Sequence, residues 1–266
     1  SRMKFAYVDN IKTEAKPNLT GLCISCAKDV RSYCGDQIIH HWKHINLSEC
    51  DFWYERETEW HRNWKNHFDI SYQEIVKFDT NTKEKHIADI YLPQKDLVIE
   101  FQHSAVEIDE IKARELFYNR MIWVIDLTSV KNNIEFHKDK NDLKFLFDKM
   151  KSQLPKEFEI DKEFQESHSK NNEVADFLDF LGIGKEKIIE SQYIAKLEDK
   201  YYSLCQKDEY YLMTWKNLHK RWDFSEKPKF IDFGDDNIYQ LIERIKTGSA
   251  YIVKRYNKKY FIEHYK

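Results

Sequence analysis

The stretch Asp96-Leu97-Val98-Ile99-Glu100-Phe101-Gln102-His103-Ser104 has an apolar, β-branched centre between polar ends, which predicts a buried strand. Side chains alternate along a strand with period two, so Glu100 and Gln102 share one face of it. A second strand-like run lies just upstream, His86-Ile87-Ala88-Asp89-Ile90-Tyr91-Leu92, with Pro93-Gln94-Lys95 between the two. An acid on one strand and an acid-x-polar triplet on its neighbour can converge on a single divalent cation. That is the layout of a metal-dependent nuclease.

Outward from this pair the pattern stays regular. Residues 54–68 read as a helix, with Trp60, Trp64 and Phe68 spaced by four. Residues 72–78 read as a strand and Asp79-Thr80-Asn81-Thr82 as a polar turn, ahead of strands at 84–92 and 96–102. Residues 106–120 read as a helix with Ile108, Ile111, Leu116 and Phe117 as its apolar positions, and Met121–Asp126 as a short buried strand. The order helix, three strands, helix, strand makes a compact α/β unit. Four regions are expected: a zinc-ribbon-like segment at 1–52 with most of the cysteines, the α/β core at 53–130, a mainly helical insert at 131–210, and a C-terminal α/β module at 211–266. The insert is expected to hold helices at 173–181 and 185–206, after a loop at Ser167–Asn172. The last module reads as a strand at 228–233, a helix at 237–246 and a hairpin at 250–265 that turns near Asn257-Lys258.

Composition bounds these readings. The chain has 266 residues, 41% hydrophobic and 33% charged, with ample aromatic core material and few glycines or prolines. No apolar run is long enough to span a bilayer and no signal peptide opens the chain, so a cytoplasmic protein is expected. Five cysteines, two of them in a Cys-x-x-Cys, suit a reducing compartment better than a disulfide framework. The net charge of −3 does not announce a nucleic-acid binder, and a solvated surface is the ordinary reading of scattered charge. Two basic stretches are uneven enough to stand as phosphate contacts, Lys216, Lys220 and Arg221 between Trp215 and Trp222, and Lys254-Arg255 near the C-terminus. For the tryptophans, packing is the default; Trp215 and Trp222 are the candidates for stacking on bases.

Phosphodiester cleavage needs a water aimed in line with the scissile bond and positive charge at the phosphorane oxygens. A carboxylate-held Mg²⁺ or Mn²⁺ supplies both. Asp89 and Glu100 are the expected ligands, with the Phe101 carbonyl completing the inner shell. Glu57 on the first helix and His61 one turn later are expected around them. On their own, two acids at strand ends are common by chance; their place inside this α/β unit favours the catalytic reading.

Glu57-Thr58-Glu59-Trp60-His61-Arg62-Asn63-Trp64-Lys65, Ala88-Asp89-Ile90, Val98–Ser104 and Met121–Asp126 together resemble the competence protein CoiA-like family over roughly residues 20–126. That family looks like a branch of the PD-(D/E)XK nuclease superfamily. The resemblance implies a PD-(D/E)XK-like core, Asp89 and Glu100 as metal ligands, and Gln102 where the superfamily usually has Lys. It also implies Glu57 as a site residue. A neutral amide can hydrogen-bond but cannot act as a general base, so activation falls to the metal, with His61 or His103 as helpers.

Nearer the N-terminus, Cys23-Ile24-Ser25-Cys26 is followed after fourteen residues by His41-Trp42-Lys43-His44. Two Cys and two His in paired spacing can make a tetrahedral Zn²⁺ site. Cys34, His40 and Cys50 compete as ligands. A similar arrangement in CoiA-like proteins supports zinc. The combined expectation is a metal-dependent DNA endonuclease in DNA processing or in defence against foreign DNA. Its rival is a DNA-binding adaptor that keeps the fold without turnover. Duplex cutting usually needs two active sites, which leaves room for a homodimer, although no residue here marks one.

Overall fold

The structure is a computed structural model that describes residues 3–46, 50, 51, 53, 55, 57–152, 162–169, 172–215, 220–245 and 250–266. It is a mixed α/β protein with two sheets and seven described helices. In chain order the strands are β1 (Phe5–Val8), β2 (Ile11–Glu14), β3 (Thr20–Leu22), β4 (Asp29–Gly35) and β5 (Ile38–His44). Helix α1 (Glu59–Lys65) leads to β6 (Gln73–Phe78), β7 (Lys85–Leu92), β8 (Leu97–Gln102), α2 (Ile108–Tyr118) and β9 (Met121–Asp126). Then come β10 (Ile134–His137), α3 (Lys140–Ser152), α4 (Lys162–Ser169), α5 (Glu173–Phe180), α6 (Lys185–Cys205) and β11 (Tyr210–Trp215). The chain closes with β12 (Lys229–Asp232), β13 (Asn237–Ile245), β14 (Ala250–Asn257) and α7 (Lys258–Tyr265). No described helix is long and apolar enough to cross a membrane.

Two compact units divide the chain, and they do not follow the four regions expected from sequence. The first holds Ser1–Lys131, His219–Gln240 and Tyr256–Lys266; the second holds Asn132–Leu218 and Leu241–Arg255. Most of the region expected to be a separate C-terminal module therefore belongs with the N-terminal half, and β13 and β14 give residues to both units.

Within the first unit, β1–β5 form an antiparallel sheet in the order β2-β1-β3-β4-β5. Its core is Met3, Ala6, Ala15, Cys23, Val30 and Trp42, and the Trp42 indole N–H donates to the Thr13 carbonyl at 3.0 Å. The other sheet runs β12-β9-β8-β7-β6 in this unit. Strands β6, β7 and β8 are antiparallel, whereas β8 and β9, joined by α2, are parallel, as are β9 and β12. All six residues of β9 are buried, the signature of a strand covered on both faces. Trp64 and Phe68 pack with Ile90, Ile99, Phe101, Ile122 and Val124, joined by Phe230, Phe261 and Ile262. The Trp60 and Trp64 indole N–H groups both donate to Asp232 Oδ2, at 2.9 and 2.8 Å, so the end of β12 satisfies the polar edges of this aromatic layer.

In the second unit, β10-β11-β14 are antiparallel neighbours and β13 follows β14. Leu143, Tyr201, Cys205, Leu212, Ile245, Ala250 and Ile252 form its core. The region expected to be helical thus also carries a strand, β10.

Three local expectations change. The first helix begins at Glu59, because the Thr58 side chain caps it by accepting the His61 N–H, so Glu57 lies ahead of the helix and not on it. Residues 237–245 are strand and not helix; Tyr239-Gln240-Leu241-Ile242-Glu243 suits either period, and a neighbouring strand on each side decides. The expected final hairpin is strand β14 followed by helix α7. The Asn257 side chain accepts the N–H groups of Lys259 and Tyr260, so the residue read as a turn is a helix cap.

Candidate functional site

Backbone pairing between β7 and β8 runs Leu92↔Leu97, Tyr91↔Val98 and Ile90↔Ile99. At the next rung the side chains take over. The Asp89 N–H donates to Glu100 Oε1 at 3.2 Å, and the Phe101 N–H donates to Asp89 Oδ2 at 2.9 Å. The two expected acids are therefore interlocked where the two strands part. Glu100 is buried and its Oε2 accepts from Arg114 Nη1 of α2 at 3.0 Å. Burial, with the Asp89 charge beside it, pushes the Glu100 carboxyl up to about 8 against the pull of Arg114.

Helix α1 brings two more groups. His61 Nε2 lies 3.1 Å from both Glu55 Oε2 and the Phe101 carbonyl oxygen, and its Nδ1 lies 2.8 Å from Thr58 Oγ1. Burial opposes the charged imidazole, but the Glu55 hydrogen bond and the Asp89 charge outweigh it and raise the His61 value. One turn on, Lys65 Nζ reaches Asp89 Oδ1 at 3.0 Å, Glu57 Oε2 at 2.9 Å and Glu74 Oε1 at 3.1 Å. Glu74, on β6, also accepts the backbone N–H groups of Lys4 and Phe5, and burial raises its carboxyl. The expected outer acid Glu57 is thus a partner of Lys65.

Sequence reading missed Lys65, Glu74, Glu55 and Arg114. For Lys65 a signal existed: it follows His61 by four residues on a helix whose Trp64 faces the core, and a lysine on an inward face needs a carboxylate. For Glu55, Glu74 and Arg114, spacing held no such signal.

Gln102 is buried; its amide N–H donates to the Ser104 carbonyl at 3.1 Å, and its Oε1 has no hydrogen-bond partner among the described residues. His103 Nδ1 lies 2.7 Å from Asp126 Oδ2, and the His103 N–H donates to Glu55. An open cleft lined in part by Glu55, Glu57, His103 and Ser104 adjoins these groups.

The second constellation is Cys23, Cys26, His44 and Cys50, whose ligand atoms all lie within 4.8 Å of one another. It is the one such group of three or more His, Cys, Asp or Glu among the described residues. Cys23 Sγ is 3.6 Å from Cys50 Sγ, and Cys26 Sγ is 3.2 Å from His44 Nε2. A tetrahedral zinc with Zn–S bonds of about 2.3 Å sets its sulfurs roughly 3.7 Å apart, so these thiols stand at the edge length of that tetrahedron. All five cysteines are free thiols. The Ser25 N–H points at Cys23 Sγ at 3.4 Å, and the hydrogen bond from Cys50 brings the Cys23 thiol down to about 5. The cluster can hold a structural zinc, and a Cys₃His donor set suits that ion.

His41, expected in the ligand set, is not in the cluster. Strand alternation carries it away from His44: its Nδ1 meets the Ile39 carbonyl at 2.8 Å and its ring stacks on Tyr33. Cys50, one of the competing residues, stands with the other three instead.

Of the basic residues, Arg221 Nη1 donates to the Val106 carbonyl at 2.9 Å, while Lys254 and Arg255 lie over the Tyr210 and Tyr211 rings at 5.5 and 5.0 Å. Lys216 and the Lys220 side chain lie outside the described residues. Trp215 and Trp222 are buried, so neither offers a face to a base. No protein-family model, curated protein or solved structure matches the chain.

Proposed function

We propose that this chain is a divalent-metal-dependent DNA endonuclease with a PD-(D/E)XK-type core of the CoiA-like kind. One observation carries the reading: Asp89 and Glu100 interlock where β7 and β8 part, and burial beside a second acid lifts Glu100 to about 8. Acids whose protonation is perturbed by burial and a neighbouring charge cluster at working sites. Two carboxylates and the Phe101 carbonyl are hard oxygen donors, the set that suits Mg²⁺ or Mn²⁺. Bound there, the ion acts as a Lewis acid and lowers the pKa of a water.

The chain's own groups do the rest. Asp89 and Glu100 hold the cation and Arg114 steadies Glu100 from α2. Gln102 offers its Oε1 as the acceptor that orients the attacking water, a role an amide can fill without changing protonation. His61 sits between Glu55 and the Phe101 carbonyl and fixes the direction of that peptide. Lys254 and Arg255 are assigned to backbone phosphates of the DNA.

The deciding experiment is cleavage of labelled single-stranded, duplex and branched DNA with Mg²⁺, Mn²⁺ or EDTA. Cutting is expected with either metal and none with EDTA, and Asp89→Ala and Glu100→Ala each lower the rate at least a thousandfold while the folded protein keeps a cooperative thermal transition. Retained cutting in either variant removes that residue from the site. A second reading has its own observation in favour: Lys65 already pairs Asp89, and Arg114 pairs Glu100. A non-catalytic DNA-binding adaptor would bind DNA with steep salt dependence and leave it intact under every metal. Matched RNA in the same assay separates a ribonuclease.

A further inference from the structure

We propose that Lys65 is the positioning residue of the Asp89–Glu100 site, aligning the Asp89 carboxylate and supplying from α1 the fixed positive charge that neutral Gln102 does not bring from β8. The proposal deepens the nuclease reading and rests on it.

Both oxygens of Asp89 are engaged, Oδ2 by the Phe101 N–H at 2.9 Å and Oδ1 by Lys65 at 3.0 Å. A carboxylate held at both ends has one orientation, and Lys65 sets half of it. The lysine side chain is 1% exposed, so it meets its carboxylate partners and not water. Those partners are three carboxylates, Asp89, Glu57 and Glu74; Glu57 also meets Arg62 Nε at 3.7 Å, and Glu100 next to Asp89 is paired by Arg114 at 3.0 Å.

Each acid of the cluster has a cationic partner, and Lys65 is the one that three of them share. That sharing sets the ammonium beside the acids that would draw a divalent cation, where it would stand near charge that develops on a phosphate bound there. Glu74 anchors the arrangement, since its carboxylate accepts the Lys4 and Phe5 N–H groups as well as Lys65. An ammonium beside Asp89 also has a cost, because it repels the cation that Asp89 binds. Aligning Asp89 and weakening its hold on metal are opposite effects of one group, and that opposition makes the proposal testable.

The experiment measures Mn²⁺ binding by calorimetry, duplex DNA binding, and cleavage rate. It uses wild type, Lys65→Met, and Lys65→Met combined with Gln102→Lys. Lys65→Met is expected to bind Mn²⁺ at least threefold more tightly and DNA within threefold of wild type, yet to cut at least a hundredfold more slowly. Adding Gln102→Lys is expected to recover at least tenfold of the rate, as returning an ammonium to the site should.

Weaker Mn²⁺ binding together with slower cutting would make Lys65 a structural prop and overturn the proposal. Cutting at the wild-type rate, or no recovery on adding Gln102→Lys, also overturns it. If Lys65→Met lacks a cooperative melt, the same measurements on Lys65→Met with Glu74→Gln, which removes the stranded acid, decide in its place. A wild type that binds Mn²⁺ but cuts nothing ends the nuclease reading; the Mn²⁺ comparison then still decides whether Lys65 sets the charge of the site.

Discussion

At the scale of the residue, this chain places unusual groups behind ordinary spacing. Glu55 is the clearest case. Burial alone would raise its carboxyl, but hydrogen bonds from His61, Ser104 and His103 outweigh burial and bring it from an ordinary 4.5 down to about 2. A carboxylate whose folded value is depressed contributes stability above its unfolded value and loses that contribution as pH falls through its folded one. The window here runs from about 4.5 down to about 2. Glu55→Gln is therefore expected to cost up to about 3 kcal/mol at pH 7 and almost nothing at pH 2, read as the gap between urea midpoints of variant and wild type. A gap that does not close on acidification would mean that the carboxylate charge is not what stabilises. Asp89 and Glu100 were legible because a strand pattern places them side by side. Glu55 and Glu74 were not, since each acquires its role from a partner brought in by another element.

At the scale of the element, caps and neighbours decide what periodicity leaves open. Thr58 starts α1 and sends Glu57 off the helix, and Asn257 starts α7 where the sequence suggests a turn. Strand β5 shows the same effect on chemistry. His41 and His44 lie three apart, and on a strand an odd spacing sends two side chains to opposite faces. A helix would have kept them together. The cluster accordingly takes Cys50 as its fourth member. Cys50→Ser is expected to lower bound zinc well below one per chain and to depress the melting temperature, while His41→Ala leaves the zinc content at the wild-type level. Metal analysis of the purified variants, with and without a chelator, checks both. Zinc loss in His41→Ala with retention in Cys50→Ser would restore the pairing read from spacing.

At the scale of the whole molecule, chain order and compact unit part company. Residues of β12 and α7, far along the sequence, complete the hydrophobic layer that α1 packs against, through Phe230, Phe261 and Ile262. The second unit has a separate core around Leu212 and Ile252 and carries the Lys254 and Arg255 side chains over tyrosine rings. If those cations meet phosphates, Lys254→Ala with Arg255→Ala should flatten the dependence of log DNA affinity on log salt by about two, roughly one for each phosphate no longer neutralised. Fluorescence anisotropy across a salt series reads the slope, and an unchanged slope would exclude this face from DNA binding.

The sequence by itself determined what depends on neighbours a few residues apart. It specified strands β7, β8 and β9, the helix between β8 and β9, and the placing of Asp89 and Glu100 on adjoining strands. Alternation and apolar runs are local properties, which is why these could be read. It also supplied the cysteines and histidines from which a metal cluster could be chosen. Tertiary structure decided which of them meet, turned 237–245 into a strand, and put Lys65 between three acids. Those outcomes depend on burial and on partners 9 to 24 residues away or more, such as Glu74 and Asp89 for Lys65. In the interior, the cost of an unpaired charge selects among pairings that the sequence only makes available.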